Sequence, residues 1–353
     1  MALLKKHPQP SPETLAEAGR ILFENNPLSA ITGCVCPKFC KKACILNHKN
    51  NPVDFSIIER EISKTYLSMR ETEPRIRATN SRVGATSCRP LNLAVVGSGP
   101  AGIAFAYYAA RDGHRVTMYE RGASIGGTMR YGIPNFRLDK TLIDRIETIL
   151  LSMGVEIVKN KSVDLHSVGA VLPPADHIIV AIGAWKSRRL GFAREECALN
   201  FLKEMNSSYV GATNNRTLND RTFVIIGGGN VAIDCAMVAR HYGATALLCY
   251  RKGEAEMKAG KHEIQLAKKM GVKFRFNMTP TGTTKKSAIF MCDGKKTYIK
   301  CDRIISAIGQ AAEINIEATE NIHPIGDMVT GTRTIIEAVA SAKVLYSKLN
   351  GSN

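Results

Sequence analysis

Short apolar runs that end at a glycine or a charge alternate with longer amphipathic segments along most of this chain. Residues 92–96 form one such run and close at Gly97, as a strand buried on both faces should. An Ala- and Tyr-rich helix, Ile103 to Arg111, follows and is stopped by Gly113; Arg115 to Glu120 then reads as a second strand. The same order returns with the strand Phe223–Ile226, the glycines 227–229 and the strand Ala246–Tyr250. His177–Gly183 and Arg303–Gly309 are matching strands that both end in glycine. Upstream, Pro12–Asn26 and Asp54–Met69 have the helical amphipathic period, whereas Arg70–Arg89 is polar, has no strong period and reads as a linker. This alternation predicts an α/β fold with two related doubly wound units behind a small helical segment. Beyond those two units the chain shows no internal repeat and no low-complexity tract.

Each strand–helix junction carries a glycine-rich loop. The first reads Gly97-Ser-Gly99-Pro100-Ala101-Gly102, and the second, 130 residues on, Gly227-Gly-Gly229-Asn230-Val231-Ala232. In such a loop the first glycine lets the chain turn, the second lets the backbone approach a pyrophosphate, and the third lets helix and strand pack closely. The helix that follows offers free N–H groups to the phosphates. Glu120, 23 residues after Gly97, falls where a carboxylate accepts hydrogen bonds from a ribose diol, with Arg121 beside it. The second unit has Arg251 and Lys252 at that place, which attract a 2′-phosphate that a carboxylate would repel. Two loops with unlike tips predict two different dinucleotides, a flavin and a nicotinamide, and NADPH rather than NADH. The competing readings are a glycine turn without ligand and a merely solvated Arg–Lys pair.

At 353 residues with 44% hydrophobic content the chain can bury two or three domain cores. No stretch approaches the roughly 18 apolar residues of a membrane span, and the N-terminus lacks a secretory apolar region, so no membrane insertion is expected. Ten cysteines without a leader predict a reducing, cytoplasmic location, where cysteines serve metals, redox chemistry or packing. Cys88, Cys197, Cys235, Cys249, Cys292 and Cys301 are scattered singly and read as structural. The net charge is +17, and residues 251–303 carry 14 Lys/Arg against 5 Asp/Glu. No nucleic-acid motif or basic–aromatic interleaving accompanies this excess, so nucleic acid is not expected. An acidic redox partner, together with NADPH, accounts for the charge; a solvated basic face is the alternative.

The remaining cysteines form one cluster, Cys34-Val-Cys36-Pro-Lys38-Phe-Cys40-Lys41-Lys42-Ala-Cys44. Four thiolates within eleven residues can supply every ligand of a [4Fe–4S] cluster, and the lysines can offset its negative charge. Cys36, Cys40 and Cys44 recur every four positions, on one side of a helical or turn-rich segment. The single-residue gap between Cys34 and Cys36 is unusual for such ligands. A four-cysteine zinc site and unligated cysteines are the rivals.

Residues 31–62 resemble the helical iron–sulfur domain of the glutamate synthase small subunit family. That family includes the NADPH-oxidising portion of dihydropyrimidine dehydrogenase and the large subunit of the NADH-dependent ferredoxin:NADP oxidoreductases. Three further segments carry the resemblance. Gly126–Leu138, with Gly126, Gly127, Arg130 and Ile133, resembles the family's GG…RYGIP-x-FRL signature; Tyr250–Met257 resembles its YRR…EM element. Ile325-Gly326-Asp327, followed by Thr334–Ala338, resembles the closing GD segment that meets the flavin. Gly183 and Gly309, which end the matching strands, complete the candidate cofactor set. Typical members carry a further upstream cysteine group and two clusters, but the 33 residues before Cys34 hold no cysteine. One cluster is therefore expected, with a ligand from another subunit left open. The stretch from Gly309 to Gly326 is also short for the family.

The resemblance implies two nested Rossmann-like domains behind a helical iron–sulfur domain. Residues 1–89 would be that domain and its linker, 90–187 and 312–353 the two parts of the FAD domain, and 188–311 the NADPH domain. It further implies that electrons pass from NADPH through FAD to the cluster and on to a companion subunit or ferredoxin-like acceptor. The hydride step needs no general acid or base, so no catalytic side chain is nominated. The alternative is a self-contained NADPH-dependent flavin reductase acting on a quinone or polysulfide, with the cysteine segment structural. A thioredoxin-reductase-like disulfide enzyme would need a C-x-x-C near the flavin, which the two dinucleotide domains lack. No glutaminase or amidotransferase signature is present.

Overall fold

The computed structural model describes residues 10–72, 89–207 and 217–351; most of the expected linker, and Cys88, lie outside them. Among the described residues the chain opens with the helices α1 (Pro12–Asn25), α2 (Ser29–Val35), the single turn α3 (Phe39–Lys42) and α4 (Phe55–Thr72). Ser11 caps α1 by accepting the Thr14 amide, with Pro12 at the first helical position. Buried polar side chains tie α1 and α2 to α4. Thr32 and Asn26 both donate to Glu59, and Ser63 donates to Ser29 at 2.8 Å. A carboxylate satisfied in this way costs far less to bury than an unpaired one.

The first α/β unit begins with β1 (Asn92–Val96), α5 (Pro100–Arg111), β2 (Arg115–Tyr119), α6 (Thr141–Ser152), β3 (Glu156–Val158) and β4 (His177–Val180). The chain then enters β5 (Lys186–Ser187), β6 (Glu195–Cys197), α7 (Ala198–Ser207), β7 (Thr222–Ile226), α8 (Asn230–His241), β8 (Thr245–Cys249), α9 (Lys261–Lys269) and β9 (Lys273–Arg275). An antiparallel trio follows, β10 (Thr279–Thr283), β11 (Ser287–Cys292) and β12 (Lys295–Lys300), then β13 (Arg303–Ser306) and β14 (Gln310–Ala311). It closes with β15 (Ile322–Pro324) and α10 (Ile335–Leu349). Helix α5 starts at Pro100, earlier than the apolar period suggested, because proline suits the first helical turn. The strands at 177 and 303 stop short of their glycines.

Two five-stranded parallel sheets result, in the orders β15-β4-β1-β2-β3 and β6-β13-β7-β8-β9. In each, the strand before the glycine loop is central: β1 lies between β4 and β2, and β7 between β13 and β8. That position is the switch point of a doubly wound sheet, where a crevice opens at the carboxyl ends of the strands. The runs Leu93–Val96 and Phe223–Ile226 are buried throughout, as strands covered on both faces must be.

The contacts divide the chain into two compact units. One comprises Met1–Arg130, Arg137–Ala184 and Ala312–Asn353, and the other Tyr131–Phe136 and Trp185–Ala311. The second is thus inserted into the first along the chain. Within the first, the Tyr108 hydroxyl donates to the Asn25 carbonyl at 2.6 Å, tying α5 to the end of α1. Within the second, Asn206 donates to the carbonyls of Tyr131 and Ile133 at 2.9 and 3.1 Å. Those bonds fasten the Tyr131–Phe136 segment to α7. Among the described residues no helix is long and apolar enough to cross a membrane.

Candidate functional site

The first glycine loop is shaped by contacts that exclude any side chain. Gly97 has φ 101°, and a Cβ there would lie 2.6 Å from the Ala181 carbonyl oxygen. A Cβ on Gly102 would lie 2.0 Å from the Gly97 oxygen, so α5 packs backbone to backbone on the loop. Gly99 differs: a Cβ there would meet nothing within 4 Å. Its open backbone precedes Pro100 and Ala101 at the start of α5, whose N-terminus has no side-chain cap. Uncapped N–H groups facing open space are where an anion is stabilised.

The strand after α5 brings the carboxylate. Glu120 is 8% exposed, and it accepts the Ser98 amide at 3.2 Å, the Ser98 hydroxyl and the Gly122 amide at 2.7 Å. Ser98, wholly buried, was not singled out from the sequence, where a serine between two glycines gives no signal. The other candidates come to the same loop. The Gly126 amide donates to the Ser98 carbonyl at 2.9 Å, and a Cβ on Gly127 would lie 2.9 Å from Gly99 Cα. A Cβ on Gly326 would lie 3.0 Å from that of Ala101. Asp327 follows, with Oδ1 accepting the Arg333 amide at 3.3 Å; burial pushes its carboxyl up to about 6, against the pull of that amide.

Other members are committed to the fold. Arg130 donates to the Ile125 carbonyl at 2.6 Å and pairs with Asp144, and Arg121 lies 3.3 Å from Glu313. Thr334 caps α10, exchanging hydrogen bonds with Glu337. Gly183 takes φ 73° beyond the end of β4.

The second loop repeats this construction. The Gly227 amide donates to the Cys249 carbonyl at 3.1 Å, as Gly97 does to Tyr119 at 2.8 Å, and a Cβ on Gly227 would lie 2.3 Å from the Ala307 oxygen. Gly229 is open, and α8, beginning Asn230-Val231, has no side-chain cap. The Tyr250 ring lies against Gly228, and Asn230 accepts the Gly260 amide at 3.1 Å. Gly309, with φ 122°, accepts the Arg188 amide at 3.0 Å through its carbonyl. The tip carries two exposed cations with different partners. Lys252 Nζ lies 2.8 Å from Glu256, whereas Arg251 makes no ion pair among the described residues.

Of the clustered cysteines, Cys34 lies in the last turn of α2 and donates to the Ala30 carbonyl at 3.3 Å. Cys36 accepts the Lys38 amide at 3.4 Å, Cys40 lies in α3 and is exposed, and Cys44 precedes the short 3₁₀ turn Ile45–Lys49. Burial raises the thiols of Cys34 and Cys36. Lys38 and Lys41 donate to Asp54 at 2.8 and 3.3 Å. Burial opposes the charge of that carboxylate, yet bonds from Lys38, Ser56 and Lys41 hold it well below the usual range. Four soft sulfur donors in one short segment fit an iron–sulfur group in kind. In arrangement they are not gathered: among the described residues no three His, Cys, Asp or Glu side chains form a metal-holding group. The thiol of Cys34 is instead turned back into its own helix.

Comparison with known proteins agrees with this layout. Residues 91–330 match the family described as pyridine nucleotide-disulphide oxidoreductase, and residues 9–71 match dihydropyrimidine dehydrogenase domain II, 4Fe-4S cluster. The glutamate synthase [NADPH] small chain of Escherichia coli (strain K12) is 30% identical over 75% of this chain and 58% of its own length. The NADPH-Fe(3+) oxidoreductase subunit beta of Geobacter sulfurreducens (strain DL-1 / KN400) is 30% identical over 84% of this chain and 47% of its own length. The chain thus spans only part of the curated relatives it matches. Among solved structures, Mycobacterium tuberculosis FprA in complex with NADPH superposes with TM-score 0.60 at 16% identity, over 75% of this chain and 86% of that one. Thioredoxin reductase of T. acidophilum gives 0.58 at 15% identity, over 74% and 99%. These structural likenesses show the fold. The two family matches, the 4Fe-4S match preceding the other along one chain, make it an oxidoreductase of the pyridine nucleotide-disulphide family, of the glutamate synthase small subunit-like kind with an N-terminal iron–sulfur domain.

Proposed function

We propose that this chain is an electron-input subunit: electrons enter from NADPH, pass through FAD to a [4Fe–4S] cluster, and leave to a companion subunit or ferredoxin-like acceptor. The flavin supplies the exchange of a hydride for single electrons, and the cluster carries single electrons. One observation carries the reading. The two loops share an open middle glycine and an uncapped helix, yet one tip presents Glu120 and the other Arg251. A carboxylate suits a ribose diol and a guanidinium a 2′-phosphate, so the loops suit different nucleotides.

FAD is assigned to residues 90–187 and 312–353. Gly97 to Gly102 face its pyrophosphate, Glu120 accepts from its ribose, and Asp327 meets its polar side chain. NADPH is assigned to residues 188–311, with Gly227 to Val231 at the pyrophosphate and Arg251, seconded by Lys252, at the 2′-phosphate. Cys36, Cys40 and Cys44, with Cys34 as the fourth thiol, hold the cluster within residues 1–89. Relatives named as subunits, including the beta subunit of an NADP(+)-dependent formate dehydrogenase of Moorella thermoacetica, support delivery to a companion.

A second reading, a self-contained flavin reductase acting on a quinone or polysulfide, is favoured by the Cys34 thiol bonded to Ala30. Anaerobic purification with iron, sulfide and zinc analysis, followed by EPR after NADPH addition, separates the two. About four irons per chain with a reduced-cluster signal is the expected result. Zinc or no metal, with flavin still bleached by NADPH, would establish the simple reductase.

A further inference from the structure

We propose that the outward face of the β10–β11–β12 sheet is a docking surface for an acidic protein face. Taking that partner to be the electron acceptor rests on the reading above. The sheet is two-sided. Ala288 and Phe290 of β11 are buried and pack with the partly buried Ile299 and Cys292 against the core that contains Val224 and Ile304. Strand alternation places Met291 and Ile289 on the other side, where the register sets them opposite Lys296 and Tyr298. There Met291 is 38% and Tyr298 57% exposed, with Lys296 and Lys300 exposed on the same side of β12. An apolar centre edged by lysines is the result.

The charge on this sheet is unmatched. Residues 279–300 hold Lys285, Lys286, Lys295, Lys296 and Lys300 against a single acid, Asp293, in the turn between β11 and β12. Among the described residues none of these lysines forms an ion pair. Elsewhere in the same unit Lys268 pairs with Glu254, Arg221 with Asp302, and Arg303 with Glu196 and Glu204. Lysines on an edge strand also discourage strand addition, but that leaves the exposed Met291 and Tyr298 unexplained. Methionine and tyrosine flanked by Lys296 and Lys300 have the composition of an interface centre with a steering rim.

The identity of the occupant follows from that chemistry. A second copy docking through the same patch would oppose lysine to lysine across a twofold axis. Single-stranded nucleic acid binds by stacking bases on aromatic faces, and this face offers only Tyr298. The Lys296 ammonium lies 5.8 Å from the centre of that ring and already covers it. An acidic protein surface meets the lysines and buries the apolar centre together.

The test compares two double variants of the full chain with equal change in net charge. One is Lys296→Glu with Lys300→Glu on the face; the other is Lys269→Glu with Lys273→Glu, exposed residues of α9 and β9. The probes are fluorescent poly-L-glutamate and an oligothymidylate of the same charge, titrated by polarisation. We expect the face variant to weaken poly-L-glutamate binding about tenfold, the scale of one close charge pair, and the control variant to change it little. We also expect Tyr298→Ser to weaken a glutamate–tyrosine copolymer more than poly-L-glutamate. Equal losses in both double variants would show a net-charge effect and overturn the proposal. Tighter binding of oligothymidylate, lost in the face variant, would overturn it in favour of nucleic acid. Bleaching of the flavin by NADPH, read on the same samples, reports separately on the electron-input reading.

Discussion

Lys252 Nζ lies 2.8 Å from the carboxylate of Glu256, while its neighbour Arg251 stands exposed without an ion pair among the described residues. The cations at the tip of the second unit are therefore unequal. A phosphate meeting Lys252 must compete with Glu256; one meeting Arg251 gains a charge-assisted bond outright. Arg251→Ala should lower kcat/KM for NADPH by roughly ten- to a hundredfold and leave NADH unchanged. Lys252→Ala should cost less. Steady-state kinetics with both nucleotides checks the order.

The glycines of the first loop should separate stability from binding. Gly102→Ala places a methyl group 2.0 Å from the Gly97 oxygen and should cost about 1–3 kcal/mol of stability or prevent folding. Gly99→Ala adds a methyl group to open space, so the melting temperature of the flavin-free protein should hold. Its FAD affinity should fall, because the methyl group stands where the pyrophosphate approaches. Thermal melts and flavin titration together distinguish the two.

Ser98 positions Glu120, donating to its carboxylate through both the amide and the hydroxyl. Ser98→Ala removes one of the carboxylate's donors and should cost about 1 kcal/mol, with FAD retained. Glu120→Ala should be worse, since it strands the buried Ser98 hydroxyl and also removes the acceptor for the ribose. Flavin content after gel filtration, Ser98→Ala above Glu120→Ala, is the readout.

Asp327 predicts a pH dependence of unusual sign for a carboxylate. Its folded value of about 6 stands above the ordinary 3.8, so between them the folded state binds more protons than the unfolded one. Stability therefore falls as the pH rises through that window. Asp327→Asn keeps an acceptor for the Arg333 amide and removes the buried charge. It should raise the melting temperature of the flavin-free protein well above pH 6, and the advantage should vanish as the pH drops below 3.8.

The cysteines should not be equivalent. Cys36→Ser, Cys40→Ser and Cys44→Ser should each abolish most iron binding. Cys34→Ser should lose only part, because its thiol must first give up the bond to the Ala30 carbonyl. Iron per chain after anaerobic reconstitution decides.

Both units were legible in the sequence because their signals are local. A buried parallel strand is a continuous apolar run, and the turn after it demands glycine wherever the chain is read. Glu120 and Arg251 announced opposite tip charges by position alone. Ser98 was invisible, since its role depends on a carboxylate in the next strand. Arg130 and Thr334 read from the sequence as ligand contacts; in the structure Arg130 pairs with Asp144 and Thr334 donates to Glu337.

The sequence by itself determined the order of strands, loops and helices, the charge at each tip and the chemistry of the cysteine segment. These follow from periodicity and residue type over a few neighbours. Only the tertiary structure decided that Gly127 and Gly326 close on the same loop as Gly99 and Ala101, that Glu256 engages Lys252, and that the lysines of β12 form no ion pair among the described residues beside Met291 and Tyr298. The glycine contacts join segments far apart in sequence, and which of two adjacent cations reaches Glu256 depends on local backbone geometry; residue type and period along the chain encode neither.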